Sequence, residues 1–422
     1  SRYLTDEQLE RLRTGLLTRA DLDVVTVSQF LYTPQGEAIL AGLGDLVQTV
    51  GRQNGAKALR GAVIQAAADP DGLTALNVLK YFPTRGIRLD LQRLSRLASV
   101  AISTVNQTQA ATAQIQEQAK QAASENRVGA GALLFLPGAA TWTKQTFDRA
   151  TLPTDLYLPA GEGHPLVVLS HGLGGDRQTL AFLAEHLASH SFAVAVVEHP
   201  GSSESQLASL FEGRANEAVT PTEMVQRPIT ISELLDAIEA DPALQNRVDM
   251  ARVGMLGQSL GAYTTLALAG ATVNAESLAQ SCPPELSQLN ISLLLQCLVP
   301  GLSPSRSSLR DERVISAIAI NPLGSAVFGE AGYGSIDIPL MMISGSDDTV
   351  TPALEEQIRP FSWLTTAQRY LALIEGGTHF SAIYDPEAVE AVAEPRVVVG
   401  HRPDLAQRYV LALSYVSAIT SG

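Results

Sequence analysis

The residues of this chain with the clearest chemical potential form the pentapeptide Gly257-Gln258-Ser259-Leu260-Gly261, which has the pattern G-x-S-x-G. A short apolar run, Val253–Leu256, precedes it, and a helix-forming segment, Ala262–Leu268, follows it. This context predicts a sharp strand-to-helix turn that exposes the serine hydroxyl at the carboxyl edge of a sheet. With 33 glycines in 422 residues, a chance match has odds of roughly 0.2, so the context gives the motif its weight. We therefore predict a nucleophilic serine at 259.

A serine hydroxyl is a weak nucleophile at neutral pH and needs a general base oriented by a carboxylate. Among seven histidines, His379 directly follows the last predicted strand, which is the expected position of the base. His401 comes too late, in or before a predicted terminal helix. The histidines that precede the nucleophile are interpreted as exposed or structural. We therefore predict His379 as the base.

Two carboxylates follow the predicted strand Pro339–Ser344, namely Asp347 and Asp348. The spacing G-x-x-D-x-x-x-P selects Asp348 as the catalytic acid and leaves Asp347 as a turn or capping residue. Asp347 stays the alternative. The loop after the preceding strand, Asn321-Pro322, carries no carboxylate, so the other usual position for the acid is empty.

The glycine-rich loop Ser170–Gly175 (SHGLGG) follows the first long predicted parallel strand. An acyl-transfer site needs donors for an oxyanion, and such a loop supplies one. We predict the backbone N–H groups of Leu173 and Gln258 as the oxyanion hole, with His171 holding the loop by hydrogen bonding. A phosphate cradle is the competing interpretation, but the pattern G-x-x-x-x-G-K-[ST] is missing.

An apolar stretch, Leu289–Leu302, lies between the nucleophile helix and the next strand, close to both cysteines. A cap or lid would occupy this position, and an apolar lid suggests a hydrophobic ester as substrate. The alternative is a helix packed onto the core. Phe328, Trp363 and Phe380 are candidate substrate-binding walls of the pocket, with core packing as their alternative.

Cys282 and Cys297 are the only cysteines of the chain. A disulfide between them would close a short loop and remove on the order of 3 kcal/mol of unfolded-chain entropy. Two buried free thiols are the alternative. A bridge implies an oxidising compartment, so we expect a secreted or periplasmic protein.

The composition excludes several classes of protein. A formal net charge of −14 argues against a nucleic-acid partner and against docking on anionic membranes. No apolar run reaches the roughly 18 residues of a transmembrane segment. The chain begins at Ser1 without a signal-like stretch, so we expect a mature form whose signal peptide is absent. No metal or organic cofactor is expected, and the predicted partner is a small-molecule ester or lipid.

The chain changes pattern near residue 128. Residues 1–127 carry helical periodicity and are predicted to form an all-helical N-terminal domain, either an appendage or, less simply, a second active module. Residues 128–422 alternate short apolar runs with helical segments, which predicts an α/β fold with a mostly parallel, doubly wound sheet. Residues 272–312 interrupt this alternation as a lid-like insertion.

The order of these motifs resembles the α/β-hydrolase superfamily over roughly residues 131–422. The segments LSHGLGGDRQTLAFLAEHLASHSFAVAVVEHPGS and GQSLGAYTTLALAG resemble platelet-activating-factor acetylhydrolase and dienelactone-hydrolase-like esterases. The N-terminal part and the later segment EGGTHFS (residues 375–381) are together similar to a largely cyanobacterial group of secreted hydrolases. These hydrolases carry a helical domain of unknown function. The resemblance implies carboxylic ester hydrolysis by a Ser259–Asp348–His379 triad. The chain departs from the acetylhydrolases in placing the acid after a later strand, and from the dienelactone hydrolases in using serine instead of cysteine.

These observations leave three classes of function. The first is a serine esterase or lipase that acts on hydrophobic esters. The second is an acyltransferase that uses the same triad, and the third is a non-catalytic binding protein on this fold. A protease is a weaker enzyme alternative, because no motif indicates a peptide-binding pocket.

Overall fold

The computed structural model describes residues 5–20, 22–125, 134–220, 222–282, 290–297 and 308–383. The predicted C-terminal helix and His401 lie outside these residues. The strands are β1 (Arg19–Ala20), β2 (Val47–Thr49), β3 (Leu73–Thr74), β4 (Ile87–Leu89), β5 (Trp142–Phe147), β6 (Thr154–Pro159), β7 (His164–Ser170), β8 (Ala193–Val197), β9 (Val248–Gln258), β10 (Val314–Ile320), β11 (Leu340–Gly345) and β12 (Arg369–Ile374). The helices are α1 (Asp6–Leu17), α2 (Val24–Leu31), α3 (Pro34–Leu46), α4 (Ala56–Ala67), α5 (Ala75–Lys80), α6 (Leu91–Glu125), α7 (Ala181–Ser189), α8 (Glu204–Phe211), α9 (Glu223–Ala240), α10 (Leu260–Leu268), α11 (Ala275–Ser281), α12 (Leu293–Gln296), α13 (Ser325–Tyr333) and α14 (Arg359–Trp363). A π-helical turn, Leu354–Ile358, leads directly into α14.

One eight-stranded sheet dominates the structure, with the strand order β12-β11-β10-β9-β7-β8-β6-β5. The six strands from β12 to β8 in this order are mutually parallel, and β6 and β5 add an antiparallel edge. Strands such as β8 and β11 are buried at every residue, because helices cover both faces of a parallel sheet. The predicted α/β architecture is confirmed.

Successive residues of the central strands enter different core clusters. In β7, Leu166 and Val168 pack with α9 residues such as Ile231, whereas Val167 and Leu169 pack with α7 residues such as Leu183. This alternation follows from the two-residue period of a strand. Helix α10 is buried along its whole length, so the helix that follows Ser259 cannot tilt without disturbing the core.

The N-terminal region is helical, as predicted, and has a small core of its own that includes Leu40, Ala62 and Phe82. Thr33 caps α3 by accepting a hydrogen bond from the Gly36 N–H, and Pro34 occupies the first helical position. This matches the preference for threonine at the N-cap and proline at N1. The region is not purely helical, because β1 pairs with β3 and β2 with β4. These strands of two or three residues are too short to show a period in the sequence.

The chain divides into two compact units. The first consists mainly of residues up to Ser103 together with Gln206–Ala218, and the second contains Thr104–Ser205, Val219–Cys282 and the residues from Asn290 onwards. The division therefore falls within α6 and not at residue 127. A continuous helical pattern carries no linker composition, so the sequence could not mark this boundary.

Cys282 and Cys297 form a disulfide with a Cα–Cα distance of 5.6 Å, as predicted. The bond joins the end of α11 to the end of α12. Two parts of the predicted insertion 272–312, residues 283–289 and 298–307, lie outside the described part of the chain. No helix in the described part of the chain combines the length and hydrophobicity that a membrane span requires.

Candidate active site

Ser259 lies on the turn between β9 and α10, with φ of +55° and ψ of −118°. This left-handed backbone conformation is strained for a serine. A Cβ at Gly261 would lie 1.9 Å from the Ser170 carbonyl oxygen, and one at Gly257 would lie 2.2 Å from the Gly261 oxygen. The two glycines of the motif are therefore required by close backbone packing around the serine.

The structure brings Ser259, His379 and Asp348 into one hydrogen-bonded chain. The Ser259 Oγ lies 2.9 Å from His379 Nε2, and His379 Nδ1 lies 2.8 Å from Asp348 Oδ2. All three residues are buried. With its Nδ1–H donating to the carboxylate, the imidazole presents a free lone pair on Nε2 to the serine hydroxyl. This arrangement can take a proton from Ser259.

The geometry separates the two candidate acids. Asp348 Oδ1 accepts hydrogen bonds from the N–H groups of Val350 and Thr351, each at 2.8 Å, and its Oδ2 also accepts from the Thr351 hydroxyl at 2.8 Å. Asp347 is exposed, and its carboxylate accepts a hydrogen bond from Ser346. Only the Asp348 side chain reaches the histidine.

Two side-chain amides hold the backbone of His379. The Nδ2 of Asn321 donates to the His379 carbonyl at 3.1 Å, and the Nε2 of Gln258 donates to the same oxygen at 3.1 Å. The Oδ1 of Asn321 also accepts from the Gly345 N–H at 3.0 Å. Asn321 thus connects the ends of β10 and β11 to the histidine loop. The sequence revealed only that position 321 lacks a carboxylate.

The glycine-rich loop after β7 lies against the nucleophile. A Cβ at Gly172 would lie 2.5 Å from the Gln258 Oε1 and 3.2 Å from the Ser259 Cβ, so a larger residue there would displace the Gln258 side chain. Within the described residues, the N–H of the next residue, Leu173, has no hydrogen-bond acceptor. This is the N–H that the sequence predicts as an oxyanion donor.

The prediction of Gln258 as the second oxyanion donor is wrong. Gln258 is the last residue of β9 and precedes the nucleophile, and the N–H groups of a central strand point in the plane of the sheet toward its neighbours. Leu260, which follows Ser259, is the first residue of α10. Its N–H is one of the helix-terminal amides that have no partner within the helix.

His171 holds the glycine-rich loop in one tautomer. Its Nε2 accepts from the His199 N–H at 3.0 Å, so its Nδ1–H donates to the Gly172 carbonyl at 2.6 Å. Burial, with a smaller effect from the charge of Arg227, lowers the pKa of His171 to about 3. The ring therefore stays neutral at pH 7, and both of its nitrogens are already hydrogen-bonded to the backbone.

A buried polar network supports the same loop from α9. The Arg227 guanidinium, which is fully buried, donates to the His171 carbonyl at 2.7 Å and to the Ser202 Oγ at 2.7 Å. Ser202 donates in turn to the carboxylate of Glu223 at 2.5 Å. Burial lowers the pKa of Arg227 to about 10. No motif in the sequence distinguishes Arg227 and Glu223 from the other polar residues of α9.

The three predicted pocket walls have different surroundings. Phe328 is fully buried, stacked on Tyr263 and in edge contact with Tyr333, so its prediction as a substrate-binding residue is wrong. It packs in the core against two aromatic rings, and their proximity could not be predicted from the sequence. Trp363 packs against Tyr333 at the margin of the same cluster. Phe380 is half-buried and in edge contact with the His379 ring, which leaves it beside the site.

Within the described residues, no group of three or more His, Cys, Asp or Glu side chains is placed to hold a metal ion.

Two protein families match parts of this chain. Residues 1–90 match a family described as alpha/beta hydrolase of unknown function. Residues 143–239 match the family described as platelet-activating factor acetylhydrolase, isoform II. Together with the eight-stranded, mostly parallel sheet, these matches identify an α/β-hydrolase fold with a helical N-terminal region.

Curated relatives are similar over short segments. The platelet-activating factor acetylhydrolases of Bos taurus and Canis lupus familiaris are each 43% identical over 61 residues, which is 14% of this chain and 14% of each relative. The Cavia porcellus protein of that name is 50% identical over 42 residues, or 10% of each chain. The similarity thus spans about a seventh of the relatives' length.

Proposed function

We propose that this chain, whose fold and family matches are those of an α/β hydrolase, is a serine carboxylic ester hydrolase of the esterase or lipase type. The observation that carries the proposal is the continuous chain of hydrogen bonds from Asp348 through His379 to Ser259. The strained turn at Ser259 and the free amide of Leu173 beside it support the same assignment.

The proposed reaction proceeds through an acyl-enzyme. His379 Nε2 takes the proton of Ser259 as Oγ attacks the ester carbonyl, and the Leu173 and Leu260 amides stabilise the oxyanion. Asp348 keeps the tautomer and stabilises the imidazolium. The alcohol leaves with the proton from His379, and a water activated by the same nitrogen then releases the acid.

The proposed substrate is an ester with a hydrophobic group, of the small-ester or lipid class. The names of the matched relatives point to lipid esters. The half-buried leucines of α12, next to the loop that carries Asp348, provide an apolar surface. The disulfide supports an oxidising compartment, so we place the protein in the periplasm or outside the cell.

The test is hydrolysis of p-nitrophenyl esters from acetate to palmitate by the natural chain and by Ser259→Ala. We expect the variant to lose at least about 10³-fold in kcat, because no other group replaces the nucleophile. Fluorophosphonate labelling of the natural chain, and not of the variant, gives a control that needs no substrate.

Turnover by Ser259→Ala at the natural rate would contradict the assignment. Labelling without ester hydrolysis would favour the acyltransferase, which capture of the acyl group by an added alcohol would identify. If the protein shows no labelling and no turnover, a binding protein would be favoured.

A further inference from the structure

Glu356 is a buried carboxylate that no step of the proposed hydrolysis uses. It lies in the π-helical turn before α14 and is fully buried. Its Oε2 accepts hydrogen bonds from the N–H groups of Gly324 and Ser325, both at 3.0 Å, at the start of α13. The Ser325 hydroxyl donates to Oε1 at 2.7 Å. The carboxylate therefore satisfies the otherwise unpaired amides of a helix N-terminus.

The other donors to Glu356 come from Asn290–Cys297, which we call the cap segment. The Ser292 hydroxyl and the Gln296 Nε2 donate to Oε1 at 3.0 Å and 2.9 Å, and the Asn290 amide donates to the same oxygen. Gln296 also accepts from the N–H groups of Ala326 and Val327 at 2.8 Å and 3.2 Å. One buried carboxylate thus ties the cap segment to α13.

No basic side chain of the described residues forms an ion pair with Glu356. Hydrogen-bond donors alone compensate its charge, and three of these six donors belong to the cap segment. Moving the cap segment away would strip half of the donors from a buried carboxylate, which is strongly unfavourable. The disulfide at Cys297 fixes the far end of the segment.

The cap segment also contacts the loop that carries Asp348. The Ser292 N–H donates to the Val350 carbonyl at 3.1 Å, and the Val350 N–H donates to Asp348 at 2.8 Å. Leu295 and Leu173 both pack against the core cluster that contains Leu260. Leu295 of the cap segment therefore shares one hydrophobic cluster with Leu173 and Leu260 of the proposed oxyanion hole.

We propose that the cap segment is a fixed apolar wall of the ester site, anchored by Glu356, and not a lid that opens. This inference rests on the proposed function for its substrate class, which is esters with an acyl or alkoxy chain long enough to contact Leu293–Leu295. Glu356 is a positioning residue, because it acts through the cap segment and touches neither the substrate nor the reacting atoms.

The first test is hydrogen exchange of the cap amides in the natural chain, Glu356→Gln and Glu355→Gln. Glu355 is the neighbouring residue and has a carboxylate oxygen without a hydrogen-bond partner among the described residues, so its variant makes the same chemical change away from the cap. We expect cap amides of the natural chain and Glu355→Gln to exchange at least about 100-fold slower than an unstructured peptide. Glu356→Gln should lose most of this protection, because an amide cannot accept from all six donors.

The second test compares kcat/KM for p-nitrophenyl acetate and decanoate in the same three proteins. We expect Glu356→Gln to lose about tenfold on decanoate and less than about threefold on acetate, because only the long chain reaches the wall. A merely structural loss would lower both rates equally. Glu355→Gln should retain the natural ratio.

Rapid exchange of the cap amides in the natural chain, or equal exchange in the two glutamine variants, would overturn the fixed cap. An unchanged decanoate-to-acetate ratio in Glu356→Gln would overturn the apolar wall. If Glu356→Gln does not fold, Asn290→Ala removes one cap donor and leaves the α13 contacts, and the same shifts are expected on a smaller scale. A natural chain that hydrolyses no ester would refute the proposed function, while hydrogen exchange would still decide the fixed cap.

Discussion

At the scale of single residues, the site depends on side chains that hold other side chains. His379 is bonded through its ring to Asp348 and through its backbone carbonyl to the amides of Asn321 and Gln258. Its orientation is therefore fixed at both ends before any substrate binds. Preorganisation of this kind is what a general base needs, because small displacements of the reacting nitrogen cost rate.

The two neighbouring aspartates give a matched pair for testing the acid. We expect Asp348→Asn to lower kcat by about 10³- to 10⁴-fold, since an amide at this position favours the wrong imidazole tautomer. Asp347→Asn should stay within about twofold of the natural rate, because Asp347 is exposed and its carboxylate accepts a hydrogen bond from Ser346 and not from His379. Steady-state kinetics on one short-chain ester measures both. The reverse ranking would transfer the acid role to Asp347.

At the scale of elements, the loop after β7 depends on a helix far from it in sequence. Arg227 of α9 donates to the His171 carbonyl, 56 residues away in the chain. The guanidinium, Ser202 and the Glu223 carboxylate are buried together. Removing any one of them therefore leaves a buried polar group without its hydrogen-bond partner. The network thus holds the buried first part of the glycine-rich loop, residues 170–172, against α9.

Arg227 also forms an ion pair with the Glu223 carboxylate at 3.4 Å. We expect Arg227→Met to lower the free energy of unfolding by about 3–5 kcal/mol, because it leaves this buried carboxylate without its cation. Arg252→Met is the control. It removes an ion pair with Asp249 whose arginine side chain is 44% exposed, and should cost less than about 1 kcal/mol. Urea unfolding followed by circular dichroism compares the two variants. Equal losses would show that the buried network contributes no more than a surface pair.

At the scale of the whole molecule, buried neutral histidines make stability depend on pH. Burial lowers the pKa of His171 to about 3 and that of His186 to about 4, and holds the pKa of His199 well below its usual range. In the unfolded chain these rings titrate near pH 6.5. Between these values the unfolded chain binds more protons than the folded chain, so protonation favours unfolding.

We therefore expect the stability of the protein to be full above about pH 6.5 and to fall steadily as the pH drops toward 4. His171 alone should contribute about 2 kcal/mol of this loss between pH 7 and pH 5. The urea midpoint at pH 7, 6 and 5 measures it, and His186→Gln should flatten the slope. A midpoint that stays constant or rises on acidification would refute the assignment of neutral buried rings.

Much of this protein could be predicted from contiguous residues. The run of apolar segments between helices specifies a parallel sheet, and the glycines around Ser259 specify a tight turn, because strand burial and backbone sterics are local properties. Ser259, Asp348 and His379 could also be predicted from their motifs. Each of them follows a parallel strand, and the carboxyl ends of parallel strands lie at one edge of the sheet. The order of strands in the sheet then sets their distances.

Tertiary structure alone decided which groups support that site. Gln258 and His379 are 121 residues apart, and Asn290 and Glu356 are 66 residues apart, so no local pattern reports that they meet. The same holds for Phe328, which the sequence suggested for the pocket and which two distant aromatic rings bury in the core. A hydrogen bond or a packed ring depends on atoms within a few ångströms in space, and the folded sheet determines which distant residues come that close.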